Sequence, residues 1–128
     1  MKERFEGETG HPNRIAALLE QRVVEHHLEI AEALDAKGKL VEFSEGDTVI
    51  EQGGSDSSAY FILSGRMRIF VNHRAVAERG PRECVGEMVT LDPAAPRSGT
   101  VKASEATVTL SVAGGELGRV HTTETIRW

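Results

Sequence analysis

The chain has 128 residues, with 15 Lys and Arg against 20 Asp and Glu, and a net charge of −5 at pH 7. That length supports one domain with one modest core, and the acidic balance makes the chain a poor candidate for non-specific nucleic-acid binding, which is driven by phosphate neutralisation. No apolar run approaches the ~18 residues of a membrane-spanning helix, residues 1–10 lack the apolar stretch of a secretory leader, and the lone Cys84 excludes an internal disulfide or a cysteine zinc cage. The expected setting is therefore cytoplasmic.

Residues 1–12 are polar, contain Gly7, Gly10 and Pro12, and are expected to be loose. From Asn13 a helical period sets in. Ile15, Leu19, Val23, His27, Ile30 and Leu34 recur at three- and four-residue spacing. Asn13 is the expected N-cap and Gly38 the residue just past the end, so 13–38 is a helical segment that can break near His26-His27. A straight helix would carry an apolar stripe ~35 Å long. A small barrel would leave part of it bare, and the remainder could pair with a second copy.

After Gly38 the period changes. Short apolar runs at 40–43, 49–51, 59–63, 66–71, 74–78, 99–103 and 106–112 are separated by turn signals such as Gly53-Gly54, Asn72-His73 and Gly80-Pro81. This predicts a mainly β protein: an antiparallel jelly-roll barrel over 39–113, preceded by the helical segment. Met67, Ile69 and Val71 alternate with Arg66 and Arg68, and Val108, Leu110 and Val112 alternate with Thr107, Thr109 and Ser111. Residues 86–91 break the alternation and read as a short helix inserted between strands. Residues 114–128 form a short C-terminal segment, with a second helical turn expected near 114–120. Charge is segregated. Residues 39–65 carry a net −4, whereas residues 66–82 carry +4 from Arg66, Arg68, Arg74, Arg79 and Arg82 against Glu78, a local field that would draw in a small anion.

The chemistry concentrates in Gly86-Glu87-Met88 and Pro96-Arg97-Ser98. A short helix opening at Gly86 presents unpaired backbone N–H groups to an anion, and glycine permits close approach. Arg97 supplies a planar fork of donors matched to phosphate, with the Ser98 hydroxyl and N–H beside it. Glu87 can accept from a sugar hydroxyl. Arg97 is expected to sit unpaired in an empty pocket, so that its removal hardly changes the stability of the ligand-free protein. The adjacent His26 and His27 point about 100° apart on a helix and cannot chelate one ion. Cys84 reads as a small buried residue.

These segments, with Glu45–Ile50 and Ser57–Gly65 upstream, resemble a cyclic-nucleotide-binding domain over residues 39–112. The resemblance implies a phosphate-binding cassette in which Glu87 takes the ribose 2′-hydroxyl, Arg97 the cyclic phosphate, and the backbone at Met88 and Ser98 completes the cradle. Gly86, Val85, Val76 and Ala77 are the further ligand-contact residues. The implied ligand is a 3′,5′-cyclic mononucleotide (cUMP, cCMP, cAMP or cGMP), with no metal or resident cofactor. The chain departs from the family pattern at Val85, where a bulkier residue is usual, at Val89-Thr90, and at Gly99, where alanine is usual. No effector motif lies within the sequence, so the chain itself is not expected to be an enzyme. A covalently linked effector is expected downstream, such as the TIR domain of bacterial antiphage effectors that respond to cyclic pyrimidine nucleotides. The alternatives are a cAMP- or cGMP-binding regulatory domain of a transcription factor or kinase, and a ligand-free protein-interaction domain. A metal cupin on the same architecture would need a His-x-His pair, which the sequence lacks.

Overall fold

In the computed structural model, residues 2–86 and 96–117 are described. Among them, eight strands build two four-stranded antiparallel sheets, the jelly-roll arrangement expected. The strands are β1 (Lys39–Phe43), β2 (Thr48–Ile50), β3 (Ala59–Ser64), β4 (Met67–Val71), β5 (Arg74–Arg79), β6 (Cys84–Val85), β7 (Thr100–Ala103) and β8 (Thr107–Val112). One sheet has the order β1-β8-β3-β6 and the other β2-β7-β4-β5. Sequence reading missed β6, because two residues are too few to show a period. The tight turn at Asn72-His73, with φ of 51° and 68°, closes β4 onto β5 in the twist that hairpins favour.

The helical segment is two helices. α1 spans His11–Leu19 and α2 spans Leu28–Lys37. The intervening turn puts Glu25 and His26 at positive φ, which a continuous helix forbids. This corrects the straight-stripe expectation. Folded back on itself, the segment buries Ile15, Leu18, Val24, Ile30, Ala31 and Leu34 against its own sheet, alongside Phe61, Leu63, Val108 and Leu110. The bend breaks the continuous stripe and covers most of its residues within the domain. Leu28, 52% exposed, is the large apolar side chain these helices leave out.

Two smaller expectations are also corrected. α1 starts at His11, with Pro12 in its first turn, and Asn13 is inside it, donating from Nδ2 to the Arg4 carbonyl at 2.6 Å. Residues 2–12 are not loose. Lys2–Phe5 form a 3-10 helix, Phe5 is 3% exposed, and Arg14 donates to the carbonyls of Phe5 and Gly7 while pairing with Asp35 at 2.6 Å.

The molecule therefore has three layers: helices, first sheet, second sheet. The first sheet is buried on both faces. Val108, Leu110 and Val112 meet the helices, while Thr107 and Thr109 turn the other way and are buried with their hydroxyls bonded, Thr109 to the Val41 carbonyl and Thr107 to those of Arg66 and Glu105. Between the sheets lies a second core of Ile50, Ile62, Met67, Val85 and Val101, edged by Phe43, Val49, Tyr60 and Ile69. The candidate site opens at the edge of this inner core, where β6 ends and β7 begins.

Candidate functional site

β6 pairs with β3 through Tyr60↔Val85 and Phe61↔Cys84 and delivers Gly86 beside the loop that precedes β3. Gly86 has φ +85°, and a β-carbon there would lie 2.7 Å from the Ser58 carbonyl oxygen and 3.1 Å from Arg97 Nη1. No other residue type fits without strain. Eleven residues on, the Arg97 backbone is clamped to the loop after β2. Its N–H donates to Gly54 O at 3.0 Å and its carbonyl accepts from Gly53 N at 2.8 Å.

The Arg97 side chain then runs inward and is 9% exposed. Nη1 donates to Gly86 O at 3.0 Å and Nη2 to Ser58 O at 2.5 Å. Nη2 also donates to Asp56 Oδ1 at 2.8 Å, and Nε to Asp56 Oδ2 at 3.4 Å. The structure thus brings the two ends of the predicted cassette, Gly86 and Arg97, into direct contact. It also corrects one expectation. Arg97 is not unpaired, so its removal strips a donor from two backbone carbonyls and a carboxylate.

The other sequence candidates distribute unevenly. Ser98 is exposed next to Arg97. Val85 is buried in the inner core rather than presented at the surface. Val76 is the extra residue at the β4–β5 register shift and is 55% exposed, and Ala77 stands opposite Ile69. β5 is the edge strand, two strands from β7, so these residues lie roughly 10 Å across the sheet from the start of β7. Glu87 and Met88, and the short helix expected at 86–91, lie outside the described residues, as does Trp128. Gly99 has a packing reason. A β-carbon there would lie 2.9 Å from Phe70 O and in contact with Val71 and Ile69, which accounts for glycine where alanine was expected.

Sequence reading missed Asp56, Ser58 and Tyr60. Nothing in the sequence pairs Asp56 with a residue 41 positions away, and the Ser-rich loop around it reads only as a turn. Tyr60 is half-buried, edge-on to Phe43 at 5.8 Å between ring centroids. Burial pushes its phenol above the ordinary 10.0 and the Asp56 charge pushes the same way, while the Arg97 charge and a Ser58 hydrogen bond pull it back. Its hydroxyl thereby belongs to the same electrostatic neighbourhood. No cluster of three or more His, Cys, Asp or Glu able to hold a metal occurs among the described residues. No helix among them is long and apolar enough to cross a membrane.

A clamped, nearly buried arginine beside a left-handed glycine at a strand end has the donors to hold an anion, and comparison with known proteins gives the domain a family. The family model for the cyclic nucleotide-binding domain matches residues 40–124. The chain belongs to the cyclic nucleotide-binding domain family. The domain is 40% identical over 116 residues to the Pycsar effector protein XpPycTIR of Xanthomonas perforans, covering 91% of this chain and 38% of that protein. It is 38% identical over 114 residues to PaPycTIR of Pseudomonas aeruginosa, covering 89% and 37%. The chain thus spans less than two-fifths of the length of these relatives. Among solved structures, the regulatory domain of Toxoplasma gondii PKA with cAMP superposes with a TM-score of 0.78 at 17% identity, covering 90% of this chain and 46% of that one. The sensor domain of the transcriptional regulator DNR from Pseudomonas aeruginosa gives 0.72 at 17% identity, covering 84% and 80%. These likenesses establish the domain's fold.

Proposed function

We propose that residues 39–113 are the sensor unit of a signalling protein and bind a 3′,5′-cyclic mononucleotide. Arg97 takes the cyclic phosphate, Glu87 the ribose 2′-hydroxyl, and the backbone at Gly86, Met88 and Ser98 completes the cradle. The base extends toward β5 at Val76 and Ala77, with Val85 beneath. The observation that carries this reading is the Arg97 guanidinium held 3.0 Å from Gly86 O at the mouth of the inner core. A phosphate and a sugar hydroxyl a few ångströms apart suit a strand-end glycine and an arginine fork. The relatives that cover nearly the whole chain are TIR-bearing Pycsar effectors, which supports a cyclic pyrimidine nucleotide, cUMP or cCMP, as ligand and a downstream TIR NADase in antiphage defence as output. On this reading the nucleotide is a signal and the sensor unit performs no catalysis.

Calorimetric titration with cUMP, cCMP, cAMP and cGMP tests the proposal. One of them is expected to bind, and the linear monophosphate of the same base to bind far more weakly. Arg97→Ala, checked for folding by circular dichroism, is expected to weaken binding by about 2–4 kcal/mol, the range for losing a charge-assisted partner in a desolvated site. Absence of heat with all four nucleotides in folded protein would sink the reading.

A further inference from the structure

We infer that Asp56 occupies, in the ligand-free protein, the place on Arg97 that the ligand's phosphate takes, so that binding requires the carboxylate to be displaced. This rests on the cyclic-nucleotide reading above.

A guanidinium has five N–H donors. In Arg97, Nε and one N–H of Nη2 face Asp56, the other N–H of Nη2 goes to Ser58 O, and Nη1 gives one to Gly86 O. One N–H remains. A phosphate is gripped best by two parallel N–H···O bonds, so at least one present partner must yield. The two carbonyls belong to backbone fixed by the β3–β6 ladder and the Gly86 turn, and would lose their donor in a half-buried place. Asp56 is 46% exposed. Its carboxylate can leave for water at little cost, and two anions on one guanidinium repel each other. Asp56 is therefore the partner that yields.

The backbone of Arg97 need not move when this happens, because its bonds to Gly53 and Gly54 are independent of the side chain. The movement falls on residues 55–57, with the Ser58 carbonyl staying on Arg97. Ser58 N donates to Asp56 Oδ1 at 3.3 Å, so that bond is lost with the ion pair. The same loop abuts the chain that leaves the barrel. A β-carbon on Gly114, where the helical turn of residues 114–117 begins, would lie 2.5 Å from Ser57 O. A ligand that frees Asp56 thus loosens a loop seated on the exit from β8.

The test is titration of wild type, Asp56→Asn and Asp56→Ala with cUMP, cCMP, cAMP and cGMP, with Glu51→Gln as a charge control from the same loop. The two Asp56 variants are expected to bind the nucleotide that wild type binds roughly two- to fivefold more tightly, the size of a part-exposed ion pair. Glu51→Gln is expected to change affinity less than twofold. Amide exchange at Ser58 should speed up when wild type is saturated, and should already be fast in ligand-free Asp56→Ala, which lacks the acceptor of the Ser58 N–H. If wild type binds but the Asp56 variants bind no more tightly, the displacement is overturned while the ligand reading stands. If no nucleotide binds any of the proteins, both fall together.

Discussion

Tyr60 is the chain's single tyrosine, so its ionisation can be followed without overlap from another phenol. Its folded pKa is raised, chiefly by burial and then by the Asp56 charge. The folded state therefore holds this proton longer than the unfolded chain. Stability linked to the group is whole below pH 10, the unfolded value, and drains away as the pH climbs through the raised folded value. An absorbance titration of tyrosinate should give a midpoint above 10 that moves down in Asp56→Asn. A midpoint indifferent to Asp56 would place the carboxylate farther from the ring than the structure does. Gly86 offers a second check at this scale. Gly86→Ala forces a β-carbon into a left-handed backbone facing the Ser58 carbonyl and should cost about 1–3 kcal/mol in urea unfolding, as residues held in sparsely populated backbone regions do. Arg97→Ala should cost about 1–3 kcal/mol as well, by leaving the Ser58 and Gly86 carbonyls short of a donor.

At the scale of elements, the α1–α2 hairpin shows what the sequence could and could not convey. The apolar period was visible over both helices, and Ile15, Ile30 and Leu34 are indeed buried. The phase was misjudged between them. Leu18 and Val24 take the fully buried places, whereas Leu19 and Val23 are half-buried and His27 is exposed. The cause is the turn at residues 20–27, whose left-handed Glu25 and His26 carry no glycine or proline to announce them. Tertiary bonds hold the turn instead. Gln21 Nε2 donates to Ile62 O at 2.9 Å, and Arg22 N to Arg82 O at 3.0 Å. The strands were legible because their inward residues alternate, and β8 shows where that rule weakens. Its threonines look solvent-facing in sequence but lie buried between two layers, with their hydroxyls satisfied by backbone. The two leucines of α2 separate covered from uncovered faces. Leu34→Ala, at a fully buried position, should cost about 2–5 kcal/mol, and Leu28→Ala, half exposed, less than about 0.5 kcal/mol. Equal losses would mean that something covers Leu28.

For the whole molecule, the candidate site is where distant stretches of chain converge. Gly86 and Arg97 were legible as a pair because they flank one short insertion, and each residue type has a chemical reason to be there. Their anchors were not legible, since they come from the loop 51–58, joined to Arg97 by contacts that span about 40 residues and follow no period. The consequence is that ligand and fold are linked. A nucleotide that binds the folded protein and not the unfolded chain adds about 2.7 kcal/mol of stability at a hundred times its dissociation constant. For a domain of this size that corresponds to a rise in Tm of roughly 8–13 °C. A thermal melt should show this rise with the nucleotide that calorimetry selects, and almost none in Arg97→Ala at the same concentration. Asp56→Asn should start from an equal or lower Tm without ligand, having lost the ion pair, yet gain more on adding it. A variant that gained less than wild type would mean that the carboxylate helps to hold the phosphate site rather than occupying it.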